Sequence, residues 1–448
     1  MRCGAPAVTP GGSAQAGNAR PRFQHCRITA LPHCHIKTVI LHIVRILHTA
    51  DWHLGLRLYK REIVEEHRFF FAWLMELLKE REIDVLMISG DVFDQANPTN
   101  EARQLYYDFL KQLISLRIKV IITGGNHDAP GILNAPREIL RMLDVHVVGS
   151  AMLDVKGELV GVGGRGSDQV EAVVAAVPYL REPDIHALTK DLEFEDKREQ
   201  VRSAIRKHYE LIAEACKEYT VPLIAMGHLY AAGSSVSDSE RLIQMGNQSA
   251  VASDDFPSTF QYIALGHIHK PQFVNGQSHI RYSGSPVPLS FSERKDRKIV
   301  IELVVNGNTI EQVDHEVPVF RKLVRFSGSF EDVKAKVEAW QEEGLAKAYA
   351  ELQIEEETMN PAVYADAARF VADWNSAFID IVNYTIAIKS DLPRMDEISG
   401  GHLDLREIQP LEVLDKMMEA GKVSPEDQFI MRNAFLELLG MDDENEDE

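Results

Sequence analysis

"VRILHTADWHLG" (Val44–Gly55) decides how the chain is read. "RILHTA" has the apolar character of a buried strand, and the triplet Asp51-Trp52-His53 follows it at once, which puts polar donors at a strand's carboxyl end. The pattern repeats downstream. The spacing predicts a helix over "REIVEEHRFFFAWLMELLKE" (Arg61–Glu80), a strand at "DVLMISG" (Asp84–Gly90), a helix over "TNEARQLYYDFLKQLI" (Thr99–Ile114) and a strand at "KVIITGG" (Lys119–Gly125). Such alternation predicts an α/β fold with a largely parallel sheet and helices packed on its faces. Ligands of open α/β sheets bind beyond the carboxyl ends of the strands.

Those ends carry chemistry. "GDVFD" (Gly90–Asp94), "GGNHD" (Gly124–Asp128), "MGHLY" (Met226–Tyr230) and "LGHIHK" (Leu265–Lys270) each close an apolar run. With Asp51 and His53 they supply Asp91, Asn126, His228, His267 and His269. Alone, any of these blocks could be a turn Asp or a hydrogen-bonded His; together they read as a metal inventory. The donors are too many for one tetrahedral zinc and include no thiolate, so two ions sharing a carboxylate are expected, with Asp91 as the bridge. Mixed carboxylate, amide and imidazole ligands suit manganese or iron better than calcium. Two ions about 3.5 to 4 Å apart can clamp the attacking and leaving oxygens of an in-line displacement at phosphorus. The expected chemistry is phosphoester hydrolysis.

Composition limits the substrate. The 448 residues suggest two or three domains, and 45% hydrophobic residues provide ample core. A net charge of −20 argues against a general electrostatic grip on nucleic acid, so any DNA contact is local, metal-assisted or shared with a partner. The cysteines, Cys3, Cys26, Cys34 and Cys216, form no C-x-x-C pair, which fits a reducing cytoplasm. No run reaches the roughly 20 apolar residues of a membrane span, so no membrane association is expected. Residues 1–43, rich in Gly, Ala and Pro without periodicity, read as a disordered leader, or as translated upstream sequence before a start at Val44.

The ordered blocks D-x-H, G-D-x-x-D, G-N-H-D, H and G-H-x-H resemble the calcineurin-like metallophosphoesterases. The resemblance implies a two-sheet sandwich flanked by helices. It also implies that Asp51, His53, Asp91 and His269 hold one metal, while Asp91, Asn126, His228 and His267 hold the other. His127 would lie beside the scissile phosphate as the catalytic residue, oriented by Asp94; on its own, Asp94 could equally be a helix cap before "NPTNEA". "PYLRE" (Pro178–Glu182), "YIALGHIHKPQ" (Tyr262–Gln272) and "IRYSGSPVPLSFSE" (Ile280–Glu293) extend the likeness, from Val44 to about Arg297, to the Mre-type nucleases. In bacteria these are the nuclease components of complexes with an SMC-type ATPase. That resemblance implies a manganese-dependent DNA nuclease acting on double-stranded ends and hairpins in DNA repair, recombination and replication, within the cytoplasm and near the nucleoid. The alternatives are a small-molecule or cyclic-nucleotide phosphodiesterase and a non-catalytic scaffold.

The expected organisation is a nuclease domain over 44–317, a small α+β capping domain over 318–395, a helical partner-binding region over 396–440 and an acidic tail over 441–448. "KIVIELVVNG" and "TIEQVDHEVPV" read as two strands closing the first domain; "FRKLVRFSGSFEDVKAKVEAWQEEG" and "AYAELQIEEE" read as strand, helix and strand. The resemblance makes this module a cap that helps admit DNA. Its modest basic cluster, Lys322, Arg325, Lys334 and Lys336, is equally compatible with a structural add-on. Near the end, two amphipathic helices split at Gly421, the second opened by Ser424, Pro425 and Asp427, carry Leu411, Val413, Leu414, Met417, Met418, Phe429, Ile430, Phe435, Leu436, Leu438 and Leu439. Two isolated helices cannot bury so many. They dock either on the ATPase partner, as the resemblance implies, or on the chain's own cap. The row Phe69, Phe70, Phe71, Trp73, Leu74 and Met75, with Tyr106, Tyr107 and Phe109, reads as a four-helix homodimer contact, giving a heterotetramer with the partner, or as core.

Overall fold

The computed structural model describes residues 43–235, 251–358 and 360–388, and residues 411, 414–415, 417–418 and 423–438 near the end. The expected leader to residue 42, Gly421, Val413, Leu439, the side chain of Leu438 and the acidic tail lie outside the described residues.

Two six-stranded sheets pack face to face. The first runs in the order Thr309–Glu316, Ile299–Asn306, Val44–Thr49, Val85–Ser89, Lys119–Thr123, Val145–Val148. Its last four strands are parallel, and the hairpin Ile299–Glu316 adds an antiparallel edge beside Val44–Thr49. The second runs Gln272–Val274, Gln277–Tyr282, Tyr262–Gly266, Leu223–His228, Ala172–Ala175, Leu159–Val162.

The one sheet expected from the alternation is therefore two. Every central strand is buried on both faces, so its apolar run is continuous and cannot reveal whether a helix or another sheet covers each side. Ile46, Val85, Met87 and Ile121 face inward and meet Val174, Ile224, Met226 and Ala264 of the second sheet. Leu47, Leu86, Ile88, Val120 and Ile122 face outward, under the helices Val64–Glu80 and Asn100–Ser115. Ala225, Ile263 and Leu265 likewise face the helix Lys197–Ala215.

The helix expected from Arg61 starts at Val64. Arg61 and Glu62 instead pair with Arg57 and Leu58 in a two-stranded hairpin, held partly by the Arg57–Glu62 ion pair. The second helix starts after Thr99, whose hydroxyl accepts from the Ala102 amide. Of the aromatics on these two helices, Phe70, Phe71, Tyr106 and Phe109 are buried core, and Phe71 stacks on Phe109 at 4.2 Å between ring centres. Phe69 stacks on Phe320 at 4.9 Å, leaving Tyr107 exposed and Trp73 half-buried. The apolar surplus on the first helix is absorbed by contacts within the chain.

A third, three-stranded parallel sheet follows, Leu323–Gly328, Ala348–Glu356 and Ile379–Ile388, with helices Phe330–Glu338 and Pro361–Asp373 around a separate core. Arg321 fixes it to the first helix. Its guanidinium donates to Glu66, to Glu65 at 3.0 Å and to the Lys347 carbonyl at 2.7 Å, and it lies over the Tyr349 ring. Tyr59 at the hairpin tip donates to Glu351. Finally, the helix Pro425–Leu438 leaves Phe429, Ile430 and Met431 exposed.

Candidate metal centre

The loops after the strands Val44–Thr49 and Val85–Ser89 are laced together by backbone: Asp51 N donates to Gly90 O at 3.1 Å, His53 N to Asp91 O at 3.0 Å and Leu54 N to Val92 O at 2.9 Å. Asp51, His53, Asp91 and His267 all have positive φ, at 54°, 46°, 48° and 99°. L-residues adopt that region at a cost of about 1–2 kcal/mol each, and it persists where surrounding structure over-determines it. Here it turns these side chains into one cleft. Gly125 is required for a steric reason: a Cβ there would lie 2.1 Å from Asp91 Oδ1.

All nine residues singled out in the sequence meet at this place. Asp91 Oδ2 lies 3.1 Å from His228 Nε2 and 3.6 Å from His53 Nε2. Asn126 Oδ1 lies 2.9 Å from His228 Nε2 and 3.0 Å from His267 Nδ1. Two compact groups of donors result, Asp51, His53 and His269 on one side and Asp91, His228 and His267 on the other, each with ligand atoms within 4.8 Å of one another. His127 falls with His53 and Asp91.

The fit of divalent cations follows from what is left unpaired. Asp51 Oδ2, His53 Nε2 and His267 Nε2 are buried and lack a hydrogen-bond partner. A buried polar atom without a partner costs about 1–3 kcal/mol, so three in one cleft demand a ligand for their lone pairs. Electrostatics agree. Burial pushes the Asp51 carboxyl up to about 6 against the pull of His228 and His269. Burial also opposes ionised Asp91, but His228 and His53 overcome it and hold that carboxyl well below its usual range. His228 is disfavoured as a cation by burial, yet Asp91 raises it to about 9, while burial and His228 together hold His267 well below normal. Charges of opposite sign are already demanded around Asp91, and divalent metal ions suit this cluster.

The surrounding shell orients the donors. His228 Nδ1 donates to Ser89 O at 2.9 Å, which aims Nε2 into the cleft, where a bound cation would take the place of the proton that Asp91 draws onto it. His127 Nδ1 donates to the main-chain oxygen of Asp94 at 2.7 Å, while the Asp94 carboxylate is turned to His53 Nδ1 at 3.2 Å. Asp94 thus reaches His127 through its backbone, and it caps no helix; Thr99 does. Among these nine residues, Asp94, Asn126 and His127 are half-buried and form the face open to solvent.

Three further residues were not identified from sequence. Glu293 Oε1 sits 3.2 Å from His269 Nδ1, and its Oε2 pairs with buried Lys298 at 2.6 Å. Burial opposes its charge, but Lys298 and His269 hold the carboxyl well below its usual range. Asp128 accepts from the amides of Gly125, Val92 and Phe93 at 2.9, 3.2 and 3.0 Å, locking two loops together. Arg181 donates to the carbonyls of Gly125, at 3.0 Å, and Asp128. Glu293 and Arg181 lie in the quoted stretches "IRYSGSPVPLSFSE" and "PYLRE", but only the folded chain brings their partners near.

Comparison with known proteins agrees with the geometry. The pattern of the calcineurin-like phosphoesterases matches residues 44–271, and that of the type 5 capsule protein repressor C-terminal domain matches residues 319–421. The D-subunit of nuclease SbcCD from Escherichia coli (strain K12) is 36% identical over 304 residues, covering 67% of this chain and 74% of the relative. The proteins of the same name from Rhodobacter capsulatus and Bacillus subtilis (strain 168) are 41% and 34% identical, each over 56% of this chain and over 64% and 63% of their own lengths. With a calcineurin-like fold, a buried cluster of metal donors and relatives matched over most of their length, this chain belongs to the SbcD family of phosphodiester-hydrolysing nucleases.

Proposed function

We propose that the chain cuts DNA as the metal-dependent component of a complex with an SbcC-like, SMC-type ATPase, acting on duplex ends as an exonuclease and on hairpins and single strands as an endonuclease. The observation that carries the reading is the trio of partnerless buried atoms, Asp51 Oδ2, His53 Nε2 and His267 Nε2, facing the Asp91 carboxylate. In this reading Asp51, His53, Asp91 and His269 hold one ion, and Asp91, Asn126, His228 and His267 the other. Manganese fits the carboxylate, amide and imidazole donor set. When bound, the two ions supply charge that stabilises in-line displacement at phosphorus.

The protein's own groups do the rest. Asp94 O fixes the Nδ1 proton of His127, so it is in the imidazolium form, with a second proton on Nε2, that the ring would stabilise or protonate the leaving oxygen from the solvent face. Asp128 and Arg181 hold the loop carrying Asn126 and His127 rigid. The Leu323–Ile388 module serves as the cap. The exposed Phe429, Ile430 and Met431 support docking of the C-terminal helix on the ATPase partner. With most aromatics buried, a homodimer contact rests on Trp73 and Tyr107 alone; sedimentation of wild type and Tyr107→Glu decides it. The function is tested by assaying end-labelled hairpin DNA with Mn²⁺ or Mg²⁺, with and without the ATPase. Cleavage that needs metal and is extended by the partner is expected; a metal-free chain without cleavage under any of these conditions contradicts the reading.

A further inference from the structure

A cavity of about 300 Å³ opens beside the metal centre, and none of the donors' chemistry uses it. It lies between the segment Val177–Glu182, the helices Glu182–Thr189 and Lys197–Ala215, and the chain end leaving the strand Leu223–His228. His228 forms part of its wall. Leu180, Ile185, Val201, Ile205 and Leu229 make it apolar, and Tyr179, Tyr230 and Arg181 add flat or polar edges.

Hydrogen bonds tie this wall to the His127 loop. Tyr179 N donates to Gly124 O at 2.8 Å, and the Arg181 guanidinium holds the carbonyls of Gly125 and Asp128. Arg181 also lies 5.6 Å from the Tyr179 ring centre, and its Nε is buried without a partner. A ligand in the cavity is therefore held in fixed register with groups flanking the metal donors.

Size and chemistry choose the occupant. The volume is at the low end for small-molecule sites, enough for one planar ring system and its sugar but not for a duplex. Aromatic and guanidinium edges on apolar walls suit a nucleobase, which stacks on such groups regardless of sequence. A chain with net charge −20 also gains from a grip that does not depend on phosphate attraction. We propose that this cavity receives the unstacked base of a nucleotide next to the scissile phosphate. The assignment rests on the metal-centre reading above. It follows that cleavage favours positions where a base is already unpaired, because a paired base must first leave its stack.

The test uses the full chain with Mn²⁺ and two substrates, a single-stranded oligonucleotide with an abasic nucleotide moved stepwise along it, and the base-free diester bis(p-nitrophenyl) phosphate. In the wild type, an abasic nucleotide at one fixed offset from the cut should lower kcat/KM by about 10- to 100-fold. Val201→Trp, which fills the cavity from the helix Lys197–Ala215, should slow the intact oligonucleotide similarly and become indifferent to the abasic position, while hydrolysing the simple diester normally. A 2-aminopurine at that offset should be quenched on binding the metal-free wild type. Uniform cleavage of the abasic series overturns the pocket without touching the metal centre, and because that series uses only the wild type it stands even if the variant misfolds. Adenosine monophosphate binding that Val201→Trp removes, alongside normal abasic cleavage, overturns the substrate-base assignment in favour of a free nucleotide. A wild-type chain unable to hydrolyse bis(p-nitrophenyl) phosphate overturns the metal-centre reading itself, and the pocket with it.

Discussion

The rim of the two-sheet body and the Leu323–Ile388 module use the same parts, parallel strands joined through helices, and differ in what ends the strands. In the body, the strands finish in Asp51, Asp91, His228 and His267, three of them with left-handed backbone, and the cleft holds buried atoms without partners. In the module, among the described residues, only Gly328 has positive φ, and Glu351, its buried carboxylate, is answered by Tyr59 and by Arg325 at 2.5 Å. Among the described residues the module leaves one buried polar atom without a partner, Trp340 Nε1, against three in the cleft. The rim stores cost that only a ligand relieves, which is how a site differs from a scaffold of the same architecture.

The comparison is broken most severely at Asp91. Asp91→Asn should leave almost no bound metal and lower hydrolysis by about a thousandfold, the several kcal/mol of charge stabilisation that the ions supply. His127→Gln should keep its metal and lose about 100- to 10,000-fold in turnover. Metal analysis and rates on the two purified variants check this pair; a folded but metal-free His127→Gln chain contradicts the roles. Gly125→Ala should resemble Asp91→Asn, because its Cβ would displace the Asp91 carboxylate. Gly164→Ala, with nothing within 4 Å of its Cβ, is the control.

A lesion on the module's side should act on stability and spare the metal. Arg321→Ala leaves Glu66 buried without its cation and should cost about 3–5 kcal/mol. Denaturant melts and limited proteolysis should show the module released early, with metal content unchanged; loss of metal would mean the two regions are not separable.

A smaller effect should come from behind the rim. Glu293→Gln weakens the brace on His269 and should reduce affinity at one of the two ion sites by about 10- to 100-fold, leaving the other intact. Calorimetric titration with Mn²⁺ resolves the two sites. Because Lys298 would be left buried without its counter-charge, held only by Ser285 Oγ and the His269 carbonyl, Glu293→Gln/Lys298→Met should show the same selective loss with less destabilisation. The smallest change belongs to Gly164→Ala, expected within about 0.5 kcal/mol of wild type in the same melts.

What could be read from the residues alone was local. Strand and helix alternation was legible because each element shows its own periodicity, and the clusters at Asp51, Asp91, Asn126, His228 and His267 were legible because each follows its strand directly. Helix starts were shifted where pairing overrode propensity, as when Arg57 captured Glu62 and moved the first helix to Val64. What covers each buried face was decided by the folded chain. Periodicity reports that Phe71 or Ile46 is buried, not that one meets Phe109 and the other a second sheet. The same holds for charge: Glu302, fully buried, is matched by Arg45 at 2.5 Å, Arg81 at 3.0 Å and His315 at 2.6 Å, and Glu293 by Lys298 and His269. A carboxylate buried in a strand or turn looks like an error in a sequence pattern, because the groups that stabilise it by Coulomb attraction and hydrogen bonds come close only once the chain has folded.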